Sequence, residues 1–469
     1  MKLKPYLEYK DSGVPWLGKV PKEWVEKRAK YLFREIDIRS TAGEEELLSV
    51  SHITGVTPRS KKNVTMFKSE SYEGSKLCYP DDLVINTMWA WMAALGVSKY
   101  KGIVSPSYHV YRLRHKDSLV SEYIDKLLRS WGYAVEYRIR STGIRPSRLR
   151  LYPDKFLTIP ICIPSLREQK QIIKYIKFKS SQIARFIRAK KRMIELLKEQ
   201  KQAIINDAVT GKIDVRTGKP YPKYKPSGVE WLGDVPCDWD IYPLKRCIKS
   251  NIDSLSEKTS SGYEFEYIEI NKVKSGYMIG APAKINFGNS PSRARRKVKR
   301  GDTIISTVRT YLRSVLFIDF EKCDNLIVST GFSVLSPNNE INPRYLGYLL
   351  RSDNFIDRVI QNSIGVSYPA IADSRLISLK IILPSTYNQS SIVNYIEKET
   401  KNIDLAISRT EREINLMQEY RTRLISDVVT GKVDVREIHV PEVAEEDLII
   451  EDITETEALD ETGDEEEDR

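Results

Sequence analysis

The residues that could carry catalysis are few and badly placed for it. The four histidines, His52, His109, His115 and His439, have no neighbouring ligand at metal-binding spacing. The five cysteines, Cys78, Cys162, Cys237, Cys247 and Cys323, include no CxxC pair, so neither a zinc site nor a disulfide framework is indicated. No GxxxxGK[ST] loop is present to cradle a nucleotide phosphate, and no Gly-rich loop follows a strand. A loop that holds a flipped adenine for methylation needs two prolines before an aromatic ring, and the nearest string, Ser105-Pro-Ser-Tyr108, lacks the second. A nuclease carboxylate set could be assembled only from Asp154 and Glu199, the latter within a long helical stretch.

What remains is the chemistry of gripping a polyanion. The formal net charge is +11. From Pro441 onward the chain holds fifteen Asp and Glu against one Arg, which leaves +25 on residues 1–440. Such a surplus suits nucleic acid. The candidate contacts are Asn86, Lys99, Lys101, Arg138, Arg140, Arg145 and Arg148 in the first half of the chain. In the second half they are Arg293, Arg295, Arg296, Lys297, Lys299, Arg300, Arg309, Tyr311 and Arg313. Arg can fork onto guanine and Asn onto adenine in the major groove, whereas most basic contacts fall on phosphate and only position the protein. The dense run at 293–300 is the expected phosphate grip. Trp89 and Trp91 share one side of a strand-like run and are expected in the core.

These residues need a frame, and the most regular part of the sequence is helical. After Pro164 neither proline nor glycine occurs until Gly211. Apolar residues recur there every seven positions: Ile176, Ile183, Leu197 and Ile204 in one series, with Lys190 interposed. The other series is Ile173, Ile187 and Ile194, interrupted by Ser180 and Lys201. A seam of this kind buries against a second helix. At an offset of 220 the frame returns as Ile396, Ile403, Met417 and Leu424, and as Val393, Ile407 and Ile414. The polar breaks return too, at Thr410, Thr400 and Arg421, and the exit Thr210-Gly211-Lys212 recurs as Thr430-Gly431-Lys432.

The duplication extends beyond the helices. YKDSGVPWLGKVPKEW at 9–24 and YKPSGVEWLGDVPCDW at 224–239 agree at eleven of sixteen positions. Frequent Gly and Pro make this a turn-rich arm, pinned by Trp16, Trp24, Trp231 and Trp239. Between arm and helix, short β-branched runs at 82–86, 102–104, 108–113 and 157–163 read as strands, and 121–138 reads as one helix. Residues 240–384 repeat the landmarks: 302–307 answers 82–87, Leu349-Leu-Arg-Ser352 answers Leu127-Leu-Arg-Ser130, and Ser363-Ile-Gly365 answers Ser141-Thr-Gly143. The predicted layout is an arm (1–24), a mixed α/β domain (25–164) and a long helix (165–210). A linker with the repeated arm (211–239), a second mixed domain (240–384), a second helix (385–430) and an acidic, disordered tail (431–469) follow. The expected class is α+β, with two such domains in a pseudo-two-fold arrangement separated by antiparallel coiled-coil helices. No apolar run is long enough to cross a bilayer, the longest being 88–97. The start, MKLKPYLEYK, has no apolar signal core, so a reduced cytoplasm is the expected location.

The repeated arm, the string 82–91, Ser141-Thr-Gly-Ile-Arg145, the helix start Pro164-Ser-Leu-Arg-Glu-Gln169 and the TGKxDVR exits together resemble the specificity subunits of type I restriction-modification systems. The resemblance covers residues 5–436 and departs at the second helix start, Pro384-Ser-Thr-Tyr-Asn-Gln389. It implies two target recognition domains, each reading half of a split DNA sequence, and helices that set the spacing. The partners it implies are double-stranded DNA, two modification subunits that methylate adenine with S-adenosylmethionine, and two restriction subunits that use ATP and Mg. The chain itself would then bind no cofactor and catalyse nothing. The alternatives are a coiled-coil scaffold, a DNA-binding protein without restriction partners, and the specificity region of a fused methyltransferase or nuclease.

Overall fold

The computed structural model describes residues 4–61, 71–115, 118–143, 149–321 and 323–442. The acidic tail from 443 onward, Arg145 and Arg148 lie outside the described residues.

Two helices of 44 residues each, Leu166–Val209 and Thr386–Val429, dominate the secondary structure. Each begins one residue after a serine whose hydroxyl accepts the amide of the third helical residue: Ser165 from Glu168 and Ser385 from Asn388, both at 3.3 Å. These N-caps satisfy donors that have no partner inside the helix. Each helix stops before a glycine in the left-handed region, Gly211 (φ +74°) or Gly431 (φ +78°).

The chain divides into two compact units, residues 1–192 with 410–469 and residues 193–409. Each unit therefore takes one part of each long helix. In the first, Ile172, Ile173, Tyr175 and Ile176 share a core with Leu424, Val428 and Val429. Lys190 meets Glu413 at 2.7 Å, and Gln171 donates to the carbonyls of Val435 and Ile438, so the two segments run antiparallel. In the second, Ile205, Ala208 and Val209 pack with Ile392, Val393 and Ile396, while Lys201 meets Asp404, again antiparallel. Of the seam residues, Ile173, Ile176, Ile183, Ile187, Ile194, Val393, Ile396, Ile403, Ile414 and Leu424 are buried. Leu197, Ile204, Ile407 and Met417 are half-buried. The interrupting Ser180, Thr400 and Thr410 are buried as well.

The rest of each unit repeats one topology. The first holds a four-stranded antiparallel sheet ordered Phe33–Ile36, His109–Leu113, Leu83–Ile85, Leu95–Val97. The second orders Ile248–Ser250, Phe332–Pro337, Thr303–Ser306, Val315–Phe317 in the same way. A ribbon joins the end of each arm to the strand before the long helix, Val25–Arg28 with Pro160–Ile163 and Asp240–Pro243 with Lys380–Leu383. Each arm is itself a hairpin, Tyr9–Asp11 with Lys19–Pro21 and Tyr224–Pro226 with Asp234–Pro236. The units diverge beyond this scaffold. The second carries an additional four-stranded sheet of Ala283–Asn286, Glu264–Ile268, Leu326–Ser329 and Ala294–Lys297. Among its described residues the first shows, outside its main sheet, ribbon and arm, the hairpin Leu48–Ser51 with Gly55–Pro58 and the antiparallel pair Lys76–Cys78 with Gly102–Val104.

Two sequence expectations are corrected. The stretch 121–138 is two helices, Ser121–Leu128 and Trp131–Arg140. Ser130, extended and at the N-cap position of the second helix, separates them, while the preceding Arg129 reaches the carbonyls of His52 and Ile53. Trp89 and Trp91 are not core residues. They stack at 5.9 Å on a 3-10 turn, Ala90–Met92, with Trp89 46% exposed.

Candidate nucleic-acid interface

In both units the arm clamps a helix exit. Trp24 and Trp239 are fully buried, each with a tyrosine edge-on, Tyr6 at 6.2 Å and Tyr221 at 5.5 Å. The Tyr9 hydroxyl donates to the carbonyls of Gly431 and Lys432, and that of Tyr224 to those of Gly211 and Lys212. Past each glycine an aspartate grips an arginine two residues on, Asp434 with Arg436 and Asp214 with Arg216. The hydrogen bonds from Arg216 hold the Asp214 carboxyl below the usual range. Burial works the other way on Asp434, yet the Arg436 bonds prevail and its carboxyl is also held low. A buried glutamine fixes each helix start. Gln169 accepts the amide of Val120 and donates to the Pro164 carbonyl. Gln389 accepts the amide of Asn342 and donates to the Pro384 carbonyl.

One position breaks the equivalence. Glu168, buried, accepts both the Tyr6 hydroxyl at 2.7 Å and the Trp24 indole N–H at 3.0 Å. The corresponding residue in the second unit is Asn388, and the Trp239 indole N–H is buried with no hydrogen-bond partner among the described residues.

The frame holds a matched pair of surface features. The strand Leu83–Ile85 leads through Thr87 into the turn Ala90–Met92, and Thr303–Ser306 leads through Thr307 into Thr310–Leu312. The hydroxyls of Thr87 and Thr307 donate to the carbonyls of Ser107 and Gly331. Their own carbonyls receive the amides of Leu151 and Ile371. Those amides end a loop that begins at Ser141 or Ser363, each of whose hydroxyls donates to a helix carbonyl four residues back. A bridge between Thr142 and Arg150, or between Ile364 and Ala370, closes the loop neck. The shared Ser-x-Gly landmark thus marks a loop pinned at both ends beside a pinned turn.

The candidate cations fall into two groups. Several are engaged within the fold: Arg140 by Glu136, Arg293 by Glu269, Lys297 by Asp253, Arg300 by Asp319, and Arg313 by Asp353 and Asp357. Arg296 is half-buried, bonded to Asn251 and the Phe332 carbonyl, and burial lowers its pKa. Arg295 lies over the Phe287 ring. Asn86 is buried, its amide donating to the Tyr108 hydroxyl at 2.9 Å and the Val50 carbonyl. Lys99, Lys101, Arg138, Lys299 and Arg309 have no carboxylate at ion-pair distance among the described residues. Of these, Arg309 stands beside a pinned loop, its guanidinium 4.7 Å over the Tyr368 ring and its backbone left-handed at φ +50°. Tyr311 is 51% exposed on the same turn. The sequence marked the start of this loop through Ser363-Ile-Gly365 but named none of its exposed residues, Ile364, Val366 and Tyr368, as contacts; their alternation within a short run was the available signal. Among the described residues, no group of three or more His, Cys, Asp or Glu could hold a metal ion.

A duplicated antiparallel sheet, a repeated arm and a pair of long helices define a two-module architecture. Residues 238–416 match the type I restriction modification DNA specificity domain. The chain is similar to the type I restriction enzyme MjaVIII specificity subunit of Methanocaldococcus jannaschii, 23% identical over 357 residues that span 72% of this chain and 76% of that one. The putative MjaX specificity subunit of the same organism is 24% identical over 344 residues, 72% and 70% of the two chains. A solved chain from a type I R-M system, described for its complex assembly and conformational transition, has the same fold. It has a TM-score of 0.57 at 15% identity, covering 88% of this chain and 99% of that chain. The similarity to type I specificity subunits thus extends over about three quarters of the chain, and the matching specificity domain lies in its second half. Among the described residues, no helix is long and apolar enough to cross a membrane.

Proposed function

We propose that the chain is the DNA-reading subunit of a type I restriction-modification complex. Each unit reads one half of a split sequence in double-stranded DNA. The observation that carries this is the duplicated scaffold with unlike surfaces: the same sheet and arm occur twice, but among the described residues only the second unit adds the sheet around 264–329. Two copies reading one sequence would have no use for that divergence. Its long helices supply the spacing between half-sites and the dock for modification subunits. Adenine methylation with S-adenosylmethionine, and ATP- and Mg-dependent restriction, belong to the partner subunits; this chain contributes specificity and no catalytic group. The cytoplasm, where the DNA is, is the location that follows.

The test is to map methylated adenines across the source genome with the gene present and deleted. A split motif that vanishes on deletion supports the reading. An unchanged methylome in a strain whose modification subunits are intact overturns it.

A further inference from the structure

The loop 363–370 of the second unit has a property that charge does not explain. In a run of five residues it presents Ile364 at 84%, Val366 at 102% and Tyr368 at 65% exposure. Apolar side chains this exposed are held out against the tendency to collapse, because every end of the loop is fixed. Ile364 and Ala370 exchange both backbone hydrogen bonds, at 2.8 and 2.9 Å. Ser363 is tied to the Val359 carbonyl and to the Thr310 hydroxyl, and Ile371 to Thr307. Arg309, in a left-handed conformation uncommon for a residue with a side chain, lies over Tyr368 and braces the loop from the neighbouring turn.

The surroundings say what the loop meets. Arg309 has no ion-pair partner among the described residues, Arg358 bonds only Gln361, and Arg375 only Asn362. The nearby carboxylates of Asp353 and Asp357 are occupied by Arg313. An apolar tip braced by a guanidinium with no carboxylate partner among the described residues, with Arg375 held on Asn362 at the loop's start, suits a polyanion whose interior edge carries apolar groups. Duplex DNA fits that description, and the apolar group on its major-groove edges is the thymine methyl. We infer that residues 363–370 are the base-reading element of the second unit, contacting thymine methyl groups through Ile364, Val366 and Tyr368, with Arg309 bracing the loop. This rests on the proposed DNA-reading function.

The experiment uses the complex containing the full-length chain, purified from its source cells, and a duplex carrying the split sequence mapped as above. Uracil replaces thymine in one half at a time, which removes only the methyl group. In one half the replacement should weaken binding roughly three- to tenfold per contacted thymine. Val366→Ser should lose part of that factor on the thymine duplex and narrow the difference between thymine and uracil duplexes. Ile364→Ser and Tyr368→Ala should relax the same half and leave the other intact. Equal binding of the two duplexes by the unaltered protein, or a methyl effect that survives all three substitutions, overturns the inference while the DNA-reading function stands. So does loss of a subunit from the complex with DNA affinity otherwise unchanged, which would mark the loop as a protein-docking surface. A chain whose deletion removes no split motif overturns both.

Discussion

At the scale of single residues, the exchange of Glu168 for Asn388 separates two otherwise matching clamps. Glu168 satisfies two buried donors with one carboxylate oxygen. Leaving a buried donor unpaired costs about 1–3 kcal/mol. Glu168→Ala is therefore expected to lower the stability of the first unit by roughly 2–4 kcal/mol, read as a fall in the first transition to move in thermal or urea denaturation. Asn388→Glu is expected to do the opposite in the second unit, raising its stability by about 1 kcal/mol, because the Trp239 indole gains an acceptor. An unchanged midpoint in both variants would show that these bonds do not hold the arms. The same scale explains why the site was hard to read. A sequence names donor types but not what they are bonded to, and Asn86 is buried on Tyr108 and Val50 while Arg296 is half-buried on Asn251. Base contact depends on loop geometry, which residue type alone does not encode.

At the scale of elements, the long helices were legible almost to the residue. Pro164 and Gly211 bound one, Pro384 and Gly431 the other, and the heptad frame named the buried face. What periodicity missed was the break at Ser130, where one extended residue turns the chain between two short helices without interrupting the apolar pattern. Within the first unit, Lys190 sits in the frame but keeps a half-exposed ion pair with Glu413. Such pairs contribute about 0–1 kcal/mol, so Lys190→Leu is expected to leave stability unchanged or raise it slightly. A loss above about 2 kcal/mol in chemical denaturation would mean the position does not face an apolar partner.

The helix exits add a pH dependence. Asp434 and Asp214 have carboxyls held below the usual value by Arg436 and Arg216. A depressed native pKa stabilises the fold above the unfolded pKa and is lost as pH falls through the native one. The exits should stay closed at neutral pH and loosen only as pH drops below about 4. Amide hydrogen exchange at residues 427–438 should then rise before that of the sheet Leu83–Ile85 with His109–Leu113; simultaneous loss would refute a local latch.

At the scale of the whole molecule, each unit is bounded by the same arm and the same pinned helix start, as two interchangeable readers would be. Base contacts in separate half-sites share no partner groups and should act independently. Replacing residues 25–160 with the matching segment of a related specificity subunit should change one half of the methylated motif only. Removing seven residues from each long helix should change the number of unread base pairs and leave both halves as they were. A swap that altered both halves, in methylome maps of the two strains, would end the model of two independent readers.

The way the units draw on the chain also sets an order of assembly. The second unit is one continuous segment, 193–409, whereas the first needs residues from 410 onward to cover Ile172, Ile173 and Ile176. During synthesis at roughly 5–20 residues per second, the part made first therefore waits on the order of ten to fifty seconds for its last helical turns. The segment translated later completes its fold earlier. For that interval the amino-terminal unit is an open core on the ribosome, dependent on a strand of chain not yet made, and a truncated message yields one finished reader, the second.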